Sequence, residues 1–321
     1  MSETSVAAAF ERSAPHVERL SIKRGPFDPP TVEKISDVTA TLWERKGKRI
    51  RPHLVYWFGE MAGISPERLD LYAWAAEAIH TATLLHDDVI DEADKRRGGP
   101  SANQIYDNTL PILSGDYLIS DVIQQIATKG HPEILLLLCE TLKKLCSGEF
   151  LQYELKFKIP SSGERYYEVT ELKTSSLFRW CGLVGPILAR NNSRGAIETY
   201  MHSFGLLFQL SDDLLDVIGT KTKHRWNDLR EGKLNLVTWR MVQADEQLRN
   251  ETAKAFERKE IPDSLIRTFE KHPKLPWTIH QTHDELKTLA VQADLVMEAF
   301  PHSGTKQALQ DLAHLLIDRC S

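Results

Sequence analysis

The feature that most limits the folds open to this chain is the return of apolar residues at spacings of three and four. "LYAWAAEAIHTATLLHDDVIDEA", "LPILSGDYLISDVIQQIAT", "EILLLLCETLKKLCSGEFLQYELKF", "YYEVTELKTSSLFRWCGLVGPILA" and "AIETYMHSFGLLFQLSDDLLDVIG" all show it. That period belongs to helices that bury one stripe. Alternating β-branched runs bounded by Asn-Gly or Asp-Gly are missing, so the expectation is an all-α protein. Gly, Pro, Asn and Ser punctuate the pattern at "RGPFDPP", "GISPER", "RRGGPSAN", "KGHPE", "IPSSGE", "NNSRG", "REGKLN" and "HPKLPW". These read as short connections between helices, none long enough to be an interdomain linker. Residues 1–321 are therefore expected to form one large helical bundle, with the N-terminal ~20 residues poorly ordered.

An apolar fraction of 41% over 321 residues suits such a core. With 40 basic and 45 acidic side chains, net charge −5, there is no global field to attract nucleic acid or an anionic membrane, so any phosphate site must be local. Cys139, Cys146, Cys181 and Cys320 form no CxxC pair; neither a zinc site nor a disulfide framework is expected, and a reducing, cytoplasmic setting is. The longest apolar runs, such as "ILLLLC", are too short to be transmembrane segments.

Two acid clusters stand out against this background. "HDDVID" carries Asp87, Asp88 and Asp91, and "QLSDDLLD" carries Asp212, Asp213 and Asp216. Both read D-D-x-x-D and both end a strongly apolar helix. Residues four apart share a helix face, so Asp87 meets Asp91 and Asp212 meets Asp216, a repulsive spacing that helix stability alone would not select. Carboxylates without neighbouring His or Cys ligands match a hard, oxygen-seeking cation such as magnesium, which binds through one or two carboxylates plus substrate phosphates. A solvated acidic helix end explains one such cluster about as well; two with identical spacing favour the metal. Two carboxylate-bearing helices facing each other in a bundle core are an established way to build a metal site.

Cations follow. "GKRIRP" supplies Lys48, Arg49 and Arg51, and "KRR" supplies Lys95, Arg96 and Arg97. Guanidinium forks suit phosphate oxygens. No GxxxxGK[ST] loop is present, which argues against a nucleotide. The apolar helices leading into both clusters suggest instead a diphosphate with a greasy tail.

From "GKRIRP" through the second acid helix and on to the C-terminus, the chain resembles the trans-isoprenyl diphosphate synthases, or polyprenyl synthetases. The resemblance implies an isoprenoid-synthase bundle with a central cavity and a magnesium-dependent, head-to-tail condensation of an allylic diphosphate with isopentenyl diphosphate. It implies that Asp87, Asp91, Asp212 and Asp216, supported by Asp88 and Asp213, hold three magnesium ions. Arg96, Lys173 and Lys233 would bind the allylic diphosphate. Lys173 and Thr174 of "KTSSLF" and Gln209 would face the diphosphate and the developing cation. Lys48, Arg51, His80 and Arg97 would bind isopentenyl diphosphate, and a homodimer is implied. By itself His80 reads more readily as a satisfied core histidine.

Three departures from the family pattern are visible. Lys46-Gly47 stands where two glycines are usual. The loop "VIGTKTKHRWNDLREGK" lacks an expected Gly-Lys pair, leaving Lys221, Lys223 or Arg225 as substitutes, and "LNLVTW" follows Lys233 where a Thr and a Pro are commoner. Upstream of Asp87 the residues Thr83, Ala82, Ile79 and Ala78 are mostly small. One helical turn of about 5.4 Å matches roughly one isoprene unit, so Ala82, Thr83 and Ile79 are the expected chain-length residues and the expected product has about twenty carbons or more. Tyr117, Leu118 or Phe150 are alternative floors. The rival readings are a short-chain farnesyl or geranylgeranyl synthase, a non-catalytic subunit of a heteromeric synthase, and a terpene cyclase or head-to-head condensing synthase. A cyclase has no second diphosphate for "GKRIRP" to hold.

Overall fold

The apolar period is realised as helix along most of the chain. The computed structural model describes residues 2–20, 30–45, 47–96, 99–219 and 225–320. In chain order the helices are α1 (Ser2–Glu18), α2 (Pro30–Trp43), α3 (Ile50–Met61), α4 (Pro66–Ile90), α5 (Ala102–Tyr106), α6 (Thr109–Lys129), α7 (Pro132–Leu155), α8 (Glu164–Thr170), α9 (Ser176–Ala189), α10 (Arg194–Ile218), α11 (Asn227–Arg230), α12 (Leu236–Ala244), α13 (Glu246–Glu257), α14 (Asp263–Glu270), α15 (Leu275–Met297) and α16 (Gly304–Asp318). Among the described residues the strands are two short ones, β1 (Lys95–Arg96) and β2 (Gly99–Pro100), paired antiparallel with Arg96 opposite Gly99. The fold is all-α, as the period requires.

Backbone contacts group the chain into two compact units. One comprises Ala8–Cys139 and Trp180–Arg194; the other comprises Met1–Ala7, Glu140–Arg179 and Gly195–Ser321. In the first, α4 packs on α3 and α6. Ala73, Ala75, Ala76, Ala78 and Ala82 are wholly buried, and their small side chains let neighbouring helices approach closely. Val38, Leu42, Leu85 and Ala102 form a cluster between α2, α4 and α5. In the second unit α10 is largely buried, and Phe178, Tyr200 and Phe204 form an aromatic group: Phe178 meets Phe204 edge-on at 5.1 Å. The Tyr200 hydroxyl donates to the Leu309 carbonyl at 2.8 Å, tying α10 to α16.

Two local features differ from the sequence expectation. The N-terminal stretch is ordered as α1: Val6, Ala9, Ser13 and Val17, spaced three and four apart, are all buried. Phe10 and Ser13 have their partners on α3, far along the chain, where they could not be read from the stretch itself. Ser13 Oγ is 2.7 Å from His53 Nδ1 and accepts from Trp57 Nε1 at 3.0 Å, while Phe10 packs edge-on to His53 at 4.6 Å. The segment "YYEVTELKTSSLFRWCGLVGPILA", which repeats at helical period, contains a π-helical turn at Glu171–Ser175 between α8 and α9. Such turns are frequent at functional sites.

Burial, reinforced by the nearby Arg49 charge, pushes the pKa of His53 down from 6.5 to about 4. The fold thus keeps the ring neutral where the unfolded chain protonates it. Stability must fall as pH drops from about 6.5 towards about 4, a loss on the order of 3 kcal/mol for this group. His53→Gln should weaken the fold at pH 7 yet flatten its dependence between pH 7 and pH 5, read as denaturant midpoints.

Candidate active site

Within the first unit, α4 delivers the first acid motif and then stops. The Asp91 N–H closes the last turn on the Asp87 carbonyl at 2.8 Å, and the Ala93 N–H reaches back to the Asp88 carbonyl at 2.9 Å across Glu92, whose φ of 51° is left-handed. The chain leaves the helix there and enters β1 and β2. Asp87 and Asp91 lie half-buried on one side of the helix end. Asp88 faces elsewhere: it is 0% exposed and receives Arg96 Nε at 2.6 Å. Burial holds its carboxyl above the ordinary range against the pull of Arg96. The structure therefore joins two expected site residues, Asp88 and Arg96, as an ion pair.

The remaining residues expected in this unit are distributed unevenly. Lys48 is exposed, and Arg51 and His80 are half-buried. Arg49 is turned to the Trp43 carbonyl at 2.7 Å and over the Trp43 ring, which gives it a structural task. Arg97 and Lys46 lie outside the described residues. Ile79 and Ala82 are 0% exposed, whereas Thr83 is half-buried with its hydroxyl on the His80 carbonyl at 2.9 Å. Asp87, Thr83 and His80, four and three residues apart, form one stripe of α4.

Within the second unit, α10 presents Gln209, Asp212, Asp213 and Asp216. The Thr174 hydroxyl donates to Gln209 Oε1 at 2.9 Å, and Gln209 Nε2 donates to Asp213 Oδ1 at 3.0 Å. The Leu236 N–H meets Asp213 Oδ2 at 3.1 Å. Asp216 Oδ1 accepts from the Asn227 N–H at 2.9 Å, which the left-handed Trp226 (φ 65°) helps to present. Lys173 donates to Gln152 Oε1 at 2.8 Å and forms an ion pair with Glu149. Lys233 pairs with Glu231 at 2.9 Å. Arg225, one candidate for the missing Gly-Lys, donates to the Val217 carbonyl at 2.7 Å; Lys221 and Lys223 lie outside the described residues.

Five further residues belong to this group and carried no usable sequence signal. Glu149 and Gln152 approach Lys173, the Tyr166 hydroxyl is buried close to Asp213, and Asp228 stands near Asp213 and Asp216. Arg319, just past the end of α16, reaches Asp212 Oδ1 at 2.9 Å. Its guanidinium also lies 5.3 Å from the Phe208 ring centroid. Glu149 and Gln152 are two among several polar residues of α7, which also carries Glu140, Lys143, Lys144 and Glu154, so nothing in the sequence singles them out.

The electrostatics of the second motif are those of a site short of positive charge. Burial first, and the Asp228 carboxylate second, hold both Asp213 and Asp216 well above the ordinary carboxylate range. Asp216 is only 8% exposed, and its Oδ2 has no hydrogen-bond partner among the described residues. Among the described residues no three His, Cys, Asp or Glu side chains form a ready-made metal cage. Paired carboxylates with an unsatisfied buried oxygen fit magnesium held jointly with phosphate oxygens, the ion's usual manner of binding.

Residues 32–269 match the family described as polyprenyl synthetase. The octaprenyl diphosphate synthase of Haemophilus influenzae is 32% identical over 283 residues, 85% of this chain and 84% of that protein. The crystal structure of a decaprenyl diphosphate synthase from Rhodobacter capsulatus has 30% identity and a TM-score of 0.82, covering 99% of this chain and 97% of that one. A polyprenyl synthase from Caulobacter crescentus, complexed with calcium and isoprenyl diphosphate, has 26% identity and a TM-score of 0.84 over 99% and 96% of the two chains.

Because the native state favours protonated Asp213 and Asp216 more than the unfolded chain does, it binds more protons above the ordinary carboxylate value of 3.8. Without divalent cations its stability should decline as pH rises from 5 to 8. Asp216→Asn removes one of the two charges and should flatten that decline by about 1 kcal/mol or more, measured by denaturant titration in chelator.

Proposed function

The chain belongs to the polyprenyl synthetase family, and we propose that it is a magnesium-dependent trans-polyprenyl diphosphate synthase, a prenyltransferase that joins an allylic diphosphate head-to-tail to isopentenyl diphosphate. The observation that carries the reading is the Thr174–Gln209–Asp213 hydrogen-bond chain beside Asp216 and its unpartnered oxygen. It sets the neutral oxygens of Thr174, from the π-helical turn, and Gln209 beside the hard-cation ligands of α10.

Ionisation breaks the allylic carbon–oxygen bond, with the electron pair leaving on the diphosphate. The isopentenyl double bond then attacks the allyl cation, and loss of a proton to the departed diphosphate restores an allylic diphosphate one unit longer. Asp87, Asp91, Asp212 and Asp216 would hold the metal, three ions in all, which when bound neutralises charge on the leaving diphosphate. Arg96, and in the other unit Lys173 and Lys233, are the proposed sources of fixed positive charge for the diphosphate. Lys173 is aimed by Glu149 and Gln152, and Lys233 by Glu231.

The cation needs a different environment. Asp213 fixes the Gln209 amide by accepting from its Nε2, so Oε1 is turned to Thr174. The two side-chain oxygens can then face an electron-poor carbon without adding to it as water would. Lys48, Arg51, His80 and Arg97 are the proposed isopentenyl diphosphate ligands; holding both substrates in register supplies rate through orientation.

Two further parts of the proposal concern product and assembly. Thr83 is the residue of the small-sided track that is not fully buried and that follows the Asp87 stripe, so it is the proposed chain-length position, with Ala82 and Ile79 behind it. Similarity to octaprenyl and decaprenyl synthases favours a long product over farnesyl or geranylgeranyl diphosphate. Phe150 and Tyr153 on α7, both in the second unit, are 64% and 65% exposed, apolar surface that suits burial against a second copy in a homodimer. Retention of both D-D-x-x-D motifs disfavours a non-catalytic subunit. No helix among the described residues is long and apolar enough to cross a membrane.

The test is a magnesium-dependent incorporation of labelled isopentenyl diphosphate onto ten-, fifteen- and twenty-carbon primers, with product length read after dephosphorylation. Asp87→Asn or Asp216→Asn should lower kcat on the order of 10²–10³-fold. Thr83→Phe should shorten the product by about one isoprene unit or more. A folded wild-type protein that incorporates nothing with any primer overturns the stand-alone synthase.

A further inference from the structure

The short β1–β2 pair carries Arg96, yet a two-stranded pair of this size is not stable by itself in water. Something else must hold it. Arg45, two residues beyond the end of α2, places its guanidinium against the pair and donates Nη1 to the Arg96 carbonyl at 2.6 Å and Nη2 to the Pro100 carbonyl at 2.7 Å. One carbonyl comes from each strand, so the planar fork spans both. Gly99, paired with Arg96, leaves room for it: a Cβ there would lie 3.0 Å from Arg45 Nη2 and 3.1 Å from Cζ.

Arg96 is thereby fixed twice. Its backbone is held by Arg45, and its side chain is held through Nε on Asp88 Oδ1 at 2.6 Å. With Nε engaged and the side chain 31% exposed, the terminal guanidinium nitrogens are the part offered to an anion. Arg45 also stands three residues before Lys48 and six before Arg51, in the segment proposed to bind the other substrate.

We propose that Arg45 is a positioning residue that fastens the Arg96 strand pair to the "GKRIRP" segment, so that the allylic diphosphate subsite is set by a residue that does not touch substrate. The inference rests on the proposed role of Arg96. It assigns Arg45 a task in this chain just before Lys46, where the sequence departs from the paired glycines of its family.

Three variants of the full-length protein test it. Arg45→Lys keeps the charge but cannot span two carbonyls, and Gly99→Ala leaves Arg45 intact while pressing on its guanidinium. Each should raise KM for a fifteen-carbon primer about tenfold, with KM for isopentenyl diphosphate and the melting temperature little changed. The double variant should be no worse than Arg45→Lys alone, because the guanidinium that the added methyl group would displace is gone. Binding of a non-hydrolysable allylic thiodiphosphate, measured calorimetrically without turnover, should follow the same order. Equal increases in both KM values, unchanged primer binding in Arg45→Lys, or additive effects in the double variant would overturn the proposal. Arg96→Gln separates the two levels of argument. If it leaves primer binding intact, the role given to Arg96 fails; if it weakens binding while Arg45→Lys does not, only the role of Arg45 fails.

Discussion

Carboxylates placed at the buried ends of apolar helices repel one another and lose hydration, and much of the local structure around both acid motifs answers that single constraint. Asp88 is matched by Arg96, Asp212 by Arg319, and Asp213 by an amide and a backbone N–H. Asp216 receives a backbone N–H on one oxygen, and its other oxygen, like Asp88 Oδ2, has no partner among the described residues. A fold selected only for stability would not leave that oxygen bare next to Asp228, since an unsatisfied buried acceptor costs about 1–3 kcal/mol. The deficit of positive charge is what a diphosphate-bound divalent cation removes.

The same constraint organises the residues that are not acidic. Gln209 is useful to chemistry because Asp213 fixes which end of its amide faces Thr174. Thr174 and Lys173 sit within the π-helical turn Glu171–Ser175, where the wider winding alters the direction of side chains relative to an ordinary helix. Lys173 then meets Glu149 and Gln152 on α7. In the first unit the acid–base pair is local, and a strand pair of four residues, held by Arg45, returns Arg96 to the helix end it has just left.

Membership of the polyprenyl synthetase family and the burial pattern of α4 bear on product length in different ways. Similarity to octaprenyl and decaprenyl synthases extends over 85% and 99% of the chain and singles out no residue. Burial separates Thr83, half-exposed on the Asp87 stripe, from Ala82 and Ile79, which are sealed within the helix packing. Spacing along the chain treated these three as equivalent, because a one-dimensional count back from Asp87 does not show which side of the helix a neighbour covers.

The sequence by itself determined the helical class and the pairing of Asp87 with Asp91 and of Asp212 with Asp216. Both follow from the helical period, which acts over three or four residues and needs no partner. The order of its motifs likewise identified the family. Only the tertiary structure decided which carboxylate oxygens are satisfied. Their partners lie 8 residues away for Asp88, 23 for Asp213 and 107 for Asp212, and Arg45 reaches carbonyls 51 and 55 residues on. At separations of 23 residues and more no local pattern links the partners; tertiary packing brings them together, whereas the short strand pair returns Arg96 to Asp88.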